Sequence, residues 1–215
     1  MLSRFLEPGF YFDAGRQRYI QVLANGKTRA VPESLLQKDA ARFALSTRSQ
    51  MGDLAAQLVR GEISQEVWYQ ETRTLMRLSY RRNVLLANGG TETMTPTAWG
   101  RFGAEMKKQY KYLDNFAGEI ATGKQALNGR VVVRAGMYGD ASYAQYQNWK
   151  LQAEVRAGYA IEARRVLHPA EHCEDCVSYA AKGWMPAADV PPIGDSRCLT
   201  HCKCSIETRK VKVKK

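Results

Sequence analysis

The stretch "HCEDCVSYAAKGWMPAADVPPIGDSRCLTHCKC", residues 172–204, holds all five cysteines of a 215-residue chain. Cys173 and Cys176 have the C-x-x-C spacing at which two thiolates reach one ion from a tight turn. Cys198, Cys202 and Cys204 follow, enough sulfur to complete a tetrahedral site. The intervening "KGWMPAADVPPIGDS" carries Gly and Pro at turn positions, as a loop between two ligand pairs requires. The flanks, "AIEARRVL" before and "CSIETRKVKVKK" after, read as strands that can pair and bring the two halves together. A module of this size buries too little core to be stable alone. An ion held by four thiolates can fold it, since structural zinc contributes on the order of 10 kcal/mol in small fingers.

Five sulfurs are one more than a closed site takes. Cys202 and Cys204 are two apart, so on a strand they share a face and compete for the fourth position. The preferred set is Cys173, Cys176, Cys198 and Cys202, with Cys204 packed beneath. His172 and His201 each stand beside a cysteine, where a strand or turn points them away. Four thiolates around Zn²⁺ carry a net charge of −2, and Arg164, Arg165, Arg197 and Lys203 are near enough in sequence to offset it. Thiols without metal remain the alternative. A redox C-x-x-C wants a thioredoxin-like βαβ context that this sequence lacks, and disulfides would leave an odd cysteine.

Working outward, the fold class is mainly α: a helical body with a short N-terminal β-meander and a small β-containing, cysteine-rich C-terminal module. Residues 1–32 form the meander, 33–158 the helical body and 159–215 the cysteine-rich module with a basic tail. "FYFD", "RYIQVL" and "TRAV" are short extended pieces separated by turn signals at Asp13-Ala14-Gly15 and Asn25-Gly26. Leu36, Ala40, Phe43, Thr47, Met51, Leu54 and Leu58 then fall on one helical stripe between Ser34 and Gly61. A second helix spans about Ser64–Asn88, with Val67, Trp68, Leu75, Leu78, Leu85 and Leu86 as its apolar side and Arg73, Arg77 and Arg81 opposite. A third starts after Thr95-Pro96 and ends near Thr122, with Trp99, Phe102, Met106, Tyr110, Leu113, Ala117 and Ile120 as its stripe. Between 129 and 158, Val131–Val133 suits a strand and Tyr143–Arg156 a helix; alternatively Gly136 and Gly139 bend one long helix.

The net charge of +11 favours polyanionic partners. No run of about 18 apolar residues is present to span a membrane, and the opening "MLSRFLEPGFYF" is too short and interrupted for a signal peptide. The expected setting is a reducing cytoplasm, where clustered cysteines are more often ligands than disulfides. "GEIATGKQ" imitates a phosphate-binding loop but has Gln125 where Ser or Thr must hold Mg²⁺, and it ends a helix instead of following a strand. Acidic residues form no convincing catalytic pair, so no enzyme is expected. The tail residues Arg209, Lys210, Lys212, Lys214 and Lys215 are candidates for contact with phosphates or an acidic partner.

The window "RRVL…EHCEDCVSYAAKGWMPAADVPPIG…CLTHCKCSIE" resembles the C-terminal signature of the bacteriophage Mu F-like head morphogenesis (minor capsid) family. In that family a C-x-x-C is followed by a Pro-Pro turn and a terminal cysteine cluster. "QYKYLDNFAGEIATG" and "RAGMYGDASYAQY" resemble its helical body, and the signature is specific from Arg164 to Glu207. This chain departs from it where a histidine commonly follows the Pro-Pro pair: Cys198 takes that role, and Lys203 stands where arginine is usual. The resemblance implies a virion protein of low copy number at the portal vertex or head interior, made in the host cytoplasm. It would act in head assembly and in DNA packaging or delivery. Portal protein, capsid or scaffold proteins and packaged double-stranded DNA are the implied partners. The rival reading is a regulatory nucleic-acid-binding zinc module, although "EHCED" is acidic and the loop "GWMPAADVPPIG" apolar, unlike a base-reading surface.

Overall fold

A computed structural model describes residues 10–13, 15–16, 18–156, 160–199 and 202–211. The chain divides into two compact units, residues 1–143 and 144–215. The expected fold class is what the structure has: helices dominate, with a strand meander at the start and a small sheet beside the cysteines at the end.

In the first unit, β1 (Phe10–Asp13), β2 (Arg18–Val22) and β3 (Thr28–Ala30) form an antiparallel meander. The β2–β3 turn places Gly26 at a positive φ of 77°, which Asn-Gly sequences accommodate readily. This meander caps a helix. The buried Tyr19 hydroxyl donates to the carbonyl of Leu86 at 2.9 Å, in the last turn of the helix, with that of Leu85, which also accepts from the Gly89 and Gly90 N–H groups, at 3.3 Å. Burial pushes the Tyr19 phenol well above its ordinary pKa, so it stays a donor.

That helix is α2 (Gln65–Asn88), preceded by α1 (Glu33–Val59) and followed by α3 (Pro96–Ala121). The ends of α2 and α3 follow local chemistry. Ser64 Oγ accepts from the Val67 N–H and Thr95 Oγ1 from the Ala98 N–H, both at 3.2 Å. Gly89 closes α2 in the left-handed conformation that glycine adopts without strain. The core gathers Met51, Ala55 and Leu58 of α1, Trp68, Met76 and Tyr80 of α2, and Met106, Leu113, Phe116 and Ile120 of α3. Each fully buried Met, Leu or Phe of such a set contributes about 1.5–3 kcal/mol.

Two expectations need correction here. Val67 is exposed, not part of the apolar side of α2; Trp68, Leu85 and Leu86 are buried as expected, and Thr72, Met76, Ser79, Tyr80 and Asn83 are buried with them. Val131–Val133 is not a strand but the first turn of α4 (Gly129–Arg156), with Val131 in the helical core. Gly136 and Gly139 explain why. A Cβ at Gly139 would lie 2.5 Å from Arg48 N and 2.6 Å from Arg48 Cα, so the glycine lets α4 pass directly against the α1 backbone. Close approach, not flexibility, is what these glycines supply.

In the second unit, β4 (Ile161–Val166) pairs antiparallel with β6 (Ser205–Lys210) from Ile161↔Lys210 to Val166↔Ser205, the pairing expected of the two flanks. The short β5 (Met185–Pro186) adds to the other edge of β4. Leu151 of α4, Ile161, Ala163, Ala187 and Val190 form its small core. The last turns of α4 thus fall in this unit together with the cysteine window, earlier in the chain than the 158/159 boundary drawn from sequence. Among the described residues no helix is long and apolar enough to cross a membrane.

Candidate metal centre

The C-x-x-C does not sit on a tight turn alone: it opens a helix, α5 (Glu174–Ala181), with Cys173 at the N-cap and Cys176 in the first turn. Sequence reading missed this helix, although Glu174 and Asp175 are first-turn acids and could have signalled it. Its N-terminal N–H groups point toward the sulfurs, a setting that favours thiolate over thiol. Accordingly the Cys173 thiol is lowered to about 6, chiefly by the backbone N–H of Cys176 and further by that of Cys198, although it makes no regular capping hydrogen bond.

The loop that returns the other cysteines is fixed by side chains of both neighbouring elements. Asn148 of α4 binds Ile193 twice, accepting from its N–H at 2.9 Å and donating to its carbonyl at 3.2 Å. Gln147 Oε1 accepts from Ile206 N at 2.7 Å and so holds the start of β6. Asp175 accepts from the Arg197 N–H at 2.8 Å, tying the Cys198 loop to the first turn of α5. Neither Asn148 nor Gln147 was marked by sequence; a polar residue in a helix gives no sign that its partner is a distant backbone.

The result is a convergence of all five sulfurs. Cys173, Cys176 and Cys198 lie within 4.8 Å of one another, and so do Cys176, Cys202 and Cys204. Sγ–Sγ separations are 3.5 Å for Cys173–Cys198, 3.4 Å for Cys176–Cys198 and 3.6 Å for Cys176–Cys202. Cys176 is the hub, fully buried and common to both trios. Of the preferred ligands, three stand together and Cys202 joins them through Cys176. Cys204 is buried and lies on the Cys202 side, and burial drives its thiol upward in pKa, as it does more mildly for Cys176 and Cys198. Clustered thiols at these separations can hold a metal ion.

One cation is built into this centre. β4 alternates buried and half-buried positions, and its buried face carries Ile161, Ala163 and then Arg165, only 3% exposed. Arg165 Nη2 donates to the carbonyls of Pro191 at 2.6 Å and Pro192 at 3.2 Å, while Nη1 lies 3.9 Å from Cys202 Sγ. Its guanidinium also stands over the Tyr179 ring. Among the described residues no carboxylate pairs with it. A buried charge needs a counter-charge, and among the described residues the group near enough is the sulfur cluster, through Cys202.

The other candidate cations are otherwise engaged. Arg164 pairs with Glu207 at 2.7 Å, and Arg197 with Glu174 at 2.8 Å. Arg209, a candidate for phosphate contact, pairs with Glu162 at 2.5 Å and lies over the Trp184 ring at 4.4 Å, as Arg164 does at 4.7 Å. Its charge is committed within the sheet. Lys210 ends β6, while Lys212, Lys214, Lys215 and His201 lie outside the described residues. On α2, Arg73 stacks over Tyr110 at 4.5 Å, and Arg73, Arg77 and Arg81 are exposed as expected. Comparison with family models, with curated proteins and with solved structures finds no match to this chain.

Proposed function

We propose that the chain is a phage virion protein, a minor head protein at the portal vertex, whose C-terminal end is clasped by a structural zinc ion. The observation that carries the clasp is Arg165: a guanidinium buried against sulfur, with two carbonyls and no carboxylate, is a stable arrangement if the sulfurs bear negative charge. Thiolates bear it across the cluster when a metal holds them; without one, only Cys173, lowered to about 6, would bear it, and Arg165 faces Cys202 instead. Zinc is the metal that an all-thiolate tetrahedral site selects in a reducing compartment.

The virion reading is supported by the run from Arg164 to Glu207, where the resemblance to the Mu F-like family is specific, and by the net charge of +11, suited to a DNA-filled shell. In this reading the helical unit docks on portal, capsid or scaffold protein, and the cationic surface and tail meet packaged DNA without reading its sequence. The chain performs no reaction. The test is co-migration with portal protein of the same virus on a sizing column. Joint elution that persists at moderate salt is the expected result. Separate elution at every salt concentration, together with tight discrimination between DNA sequences, would replace this reading by the regulatory zinc module.

A further inference from the structure

The sulfur geometry goes beyond one ion. Two trios share Cys176: Cys173 and Cys198 belong to one, and Cys202, 3.6 Å from Cys176, and Cys204 to the other. A ZnS₄ tetrahedron with Zn–S bonds of about 2.3 Å has edges of about 3.8 Å, close to the 3.4–3.6 Å separations present. Cys202, 3.6 Å from Cys176 but outside the first trio, is the thiol that would move in to complete it. The second trio, Cys176, Cys202 and Cys204, lacks one donor; His172 Nδ1 stands 3.6 Å from its Cys204 Sγ, and the ring would draw nearer to Cys176 and Cys202 on closing around an ion.

That imidazole is set up as a ligand. His172 Nε2 lies 2.6 Å from the carbonyl oxygen of His168, an acceptor only, so Nε2 carries the proton and Nδ1 the free lone pair. Metal-binding histidines characteristically donate their other ring N–H to such a backbone oxygen.

We infer that the centre is binuclear, with a second zinc ion held by Cys176, Cys202, Cys204 and His172 Nδ1, and with Cys176 and Cys202 bridging the two ions. The inference rests on the zinc-clasp reading and extends it. Charge supports it. One zinc with four thiolates leaves −2 against the single charge of Arg165. Two zinc ions with five thiolates leave −1, which Arg165 neutralises from 3.9 Å. With both sites filled all five sulfurs are deprotonated, and the imidazole binds neutral through Nδ1.

The experiment counts metal on the full-length chain, reduced, stripped with chelator and refilled with zinc, by native mass spectrometry and elemental analysis. Wild type should hold two zinc ions; Cys204→Ser and His172→Ala should each hold one and keep the circular-dichroism spectrum of the wild type. ¹¹³Cd-substituted wild type should show two resonances, and His172→Ala one. A single zinc in wild type, unchanged in both variants, overturns the second site and leaves the single-ion clasp standing, with the Cys204 thiol merely donating to His172. No zinc and five free thiols overturns both. Should Cys204→Ser fail to fold, the partly exposed His172 still decides the matter through its own variant.

Discussion

Replacing Arg165 by methionine tests whether the cluster carries charge. Methionine is unbranched and fills the stem's volume while removing the guanidinium. At 3.9 Å from Cys202 Sγ, a unit positive charge gains about 4 kcal/mol from a unit negative one at an effective dielectric constant near 20. The two hydrogen bonds to Pro191 and Pro192 add about 1.5–3 kcal/mol each, and desolvating the guanidinium costs several kcal/mol in return. With neutral thiols the Coulomb part vanishes, and hydrogen bonds and desolvation nearly cancel, so the substitution is close to neutral. With metal-bound thiolates the variant loses about 3 kcal/mol after partial screening. By linkage that loss reappears as metal affinity, roughly a hundredfold weaker binding. Competition with a chromophoric zinc chelator measures it directly, with Arg165→Lys as the control that keeps charge and loses the fork. Equal affinity in wild type and Arg165→Met would refute the claim that this cation answers a charged cluster.

Two further tests address the helical unit. Gly139→Ala should lower stability by about 1–2 kcal/mol, because the gain in helix propensity of about 1 kcal/mol is outweighed by a methyl placed 2.5 Å from the Arg48 backbone nitrogen. Gly103→Ala on α3 meets nothing within 4 Å and should raise stability by up to about 1 kcal/mol. If urea titration gave both the same midpoint, the close α1–α4 approach would be wrong. Asp39→Asn removes the charge from a buried carboxylate that accepts from Arg82 and, at 2.8 Å, from Arg42. Stripping one partner from such a buried pair should cost about 3–5 kcal/mol in the same titration, and a loss below about 1 kcal/mol would show the pair to be solvated.

What sequence revealed and what it hid follow from the range of the forces involved. The ends of α2 and α3 were legible because Ser64, Thr95-Pro96 and Gly89 act on their own backbone within a few residues. The β4–β6 pairing was legible because both flanks of the cysteine window alternate. α4 was not: three consecutive valines argue for a strand, and only the passage of α1 across Gly136 and Gly139 makes the helix favourable. The buried face of α2 was legible only in part, for a related reason. Thr72, Ser79 and Asn83 occupy it, and Asn83 is accommodated by donating at 2.9 Å to the carbonyl of Ser142, a partner invisible to periodicity. At the metal centre, the ligand types and spacing were plain, whereas the roles of Asn148 and Gln147 depend on backbone atoms far along the chain, and that of the His172 ring on the turn that brings the His168 carbonyl to it.

The shape of the sulfur cluster also argues for coordination over disulfide chemistry. Disulfides join sulfurs in pairs, so a centre evolved for them should place cysteines two by two, each pair apart from the next. Here Cys176 has Cys198 at 3.4 Å and Cys202 at 3.6 Å, with Cys173 and Cys204 also within 4.8 Å. Bonding Cys176 to any one of them would leave three thiols in place around a bridge and would quench the charge that Arg165 faces. A shared ion, by contrast, uses a hub: it draws several thiolates to a common point and keeps their negative charge. It also closes the Cys173–Cys176 turn against the Cys198–Cys204 loop, where the core of Leu151, Ile161, Ala163, Ala187 and Val190 is small. The same arrangement explains a charged residue on the buried face of β4, since an inward arginine only breaks even beside thiols and is favourable beside thiolates.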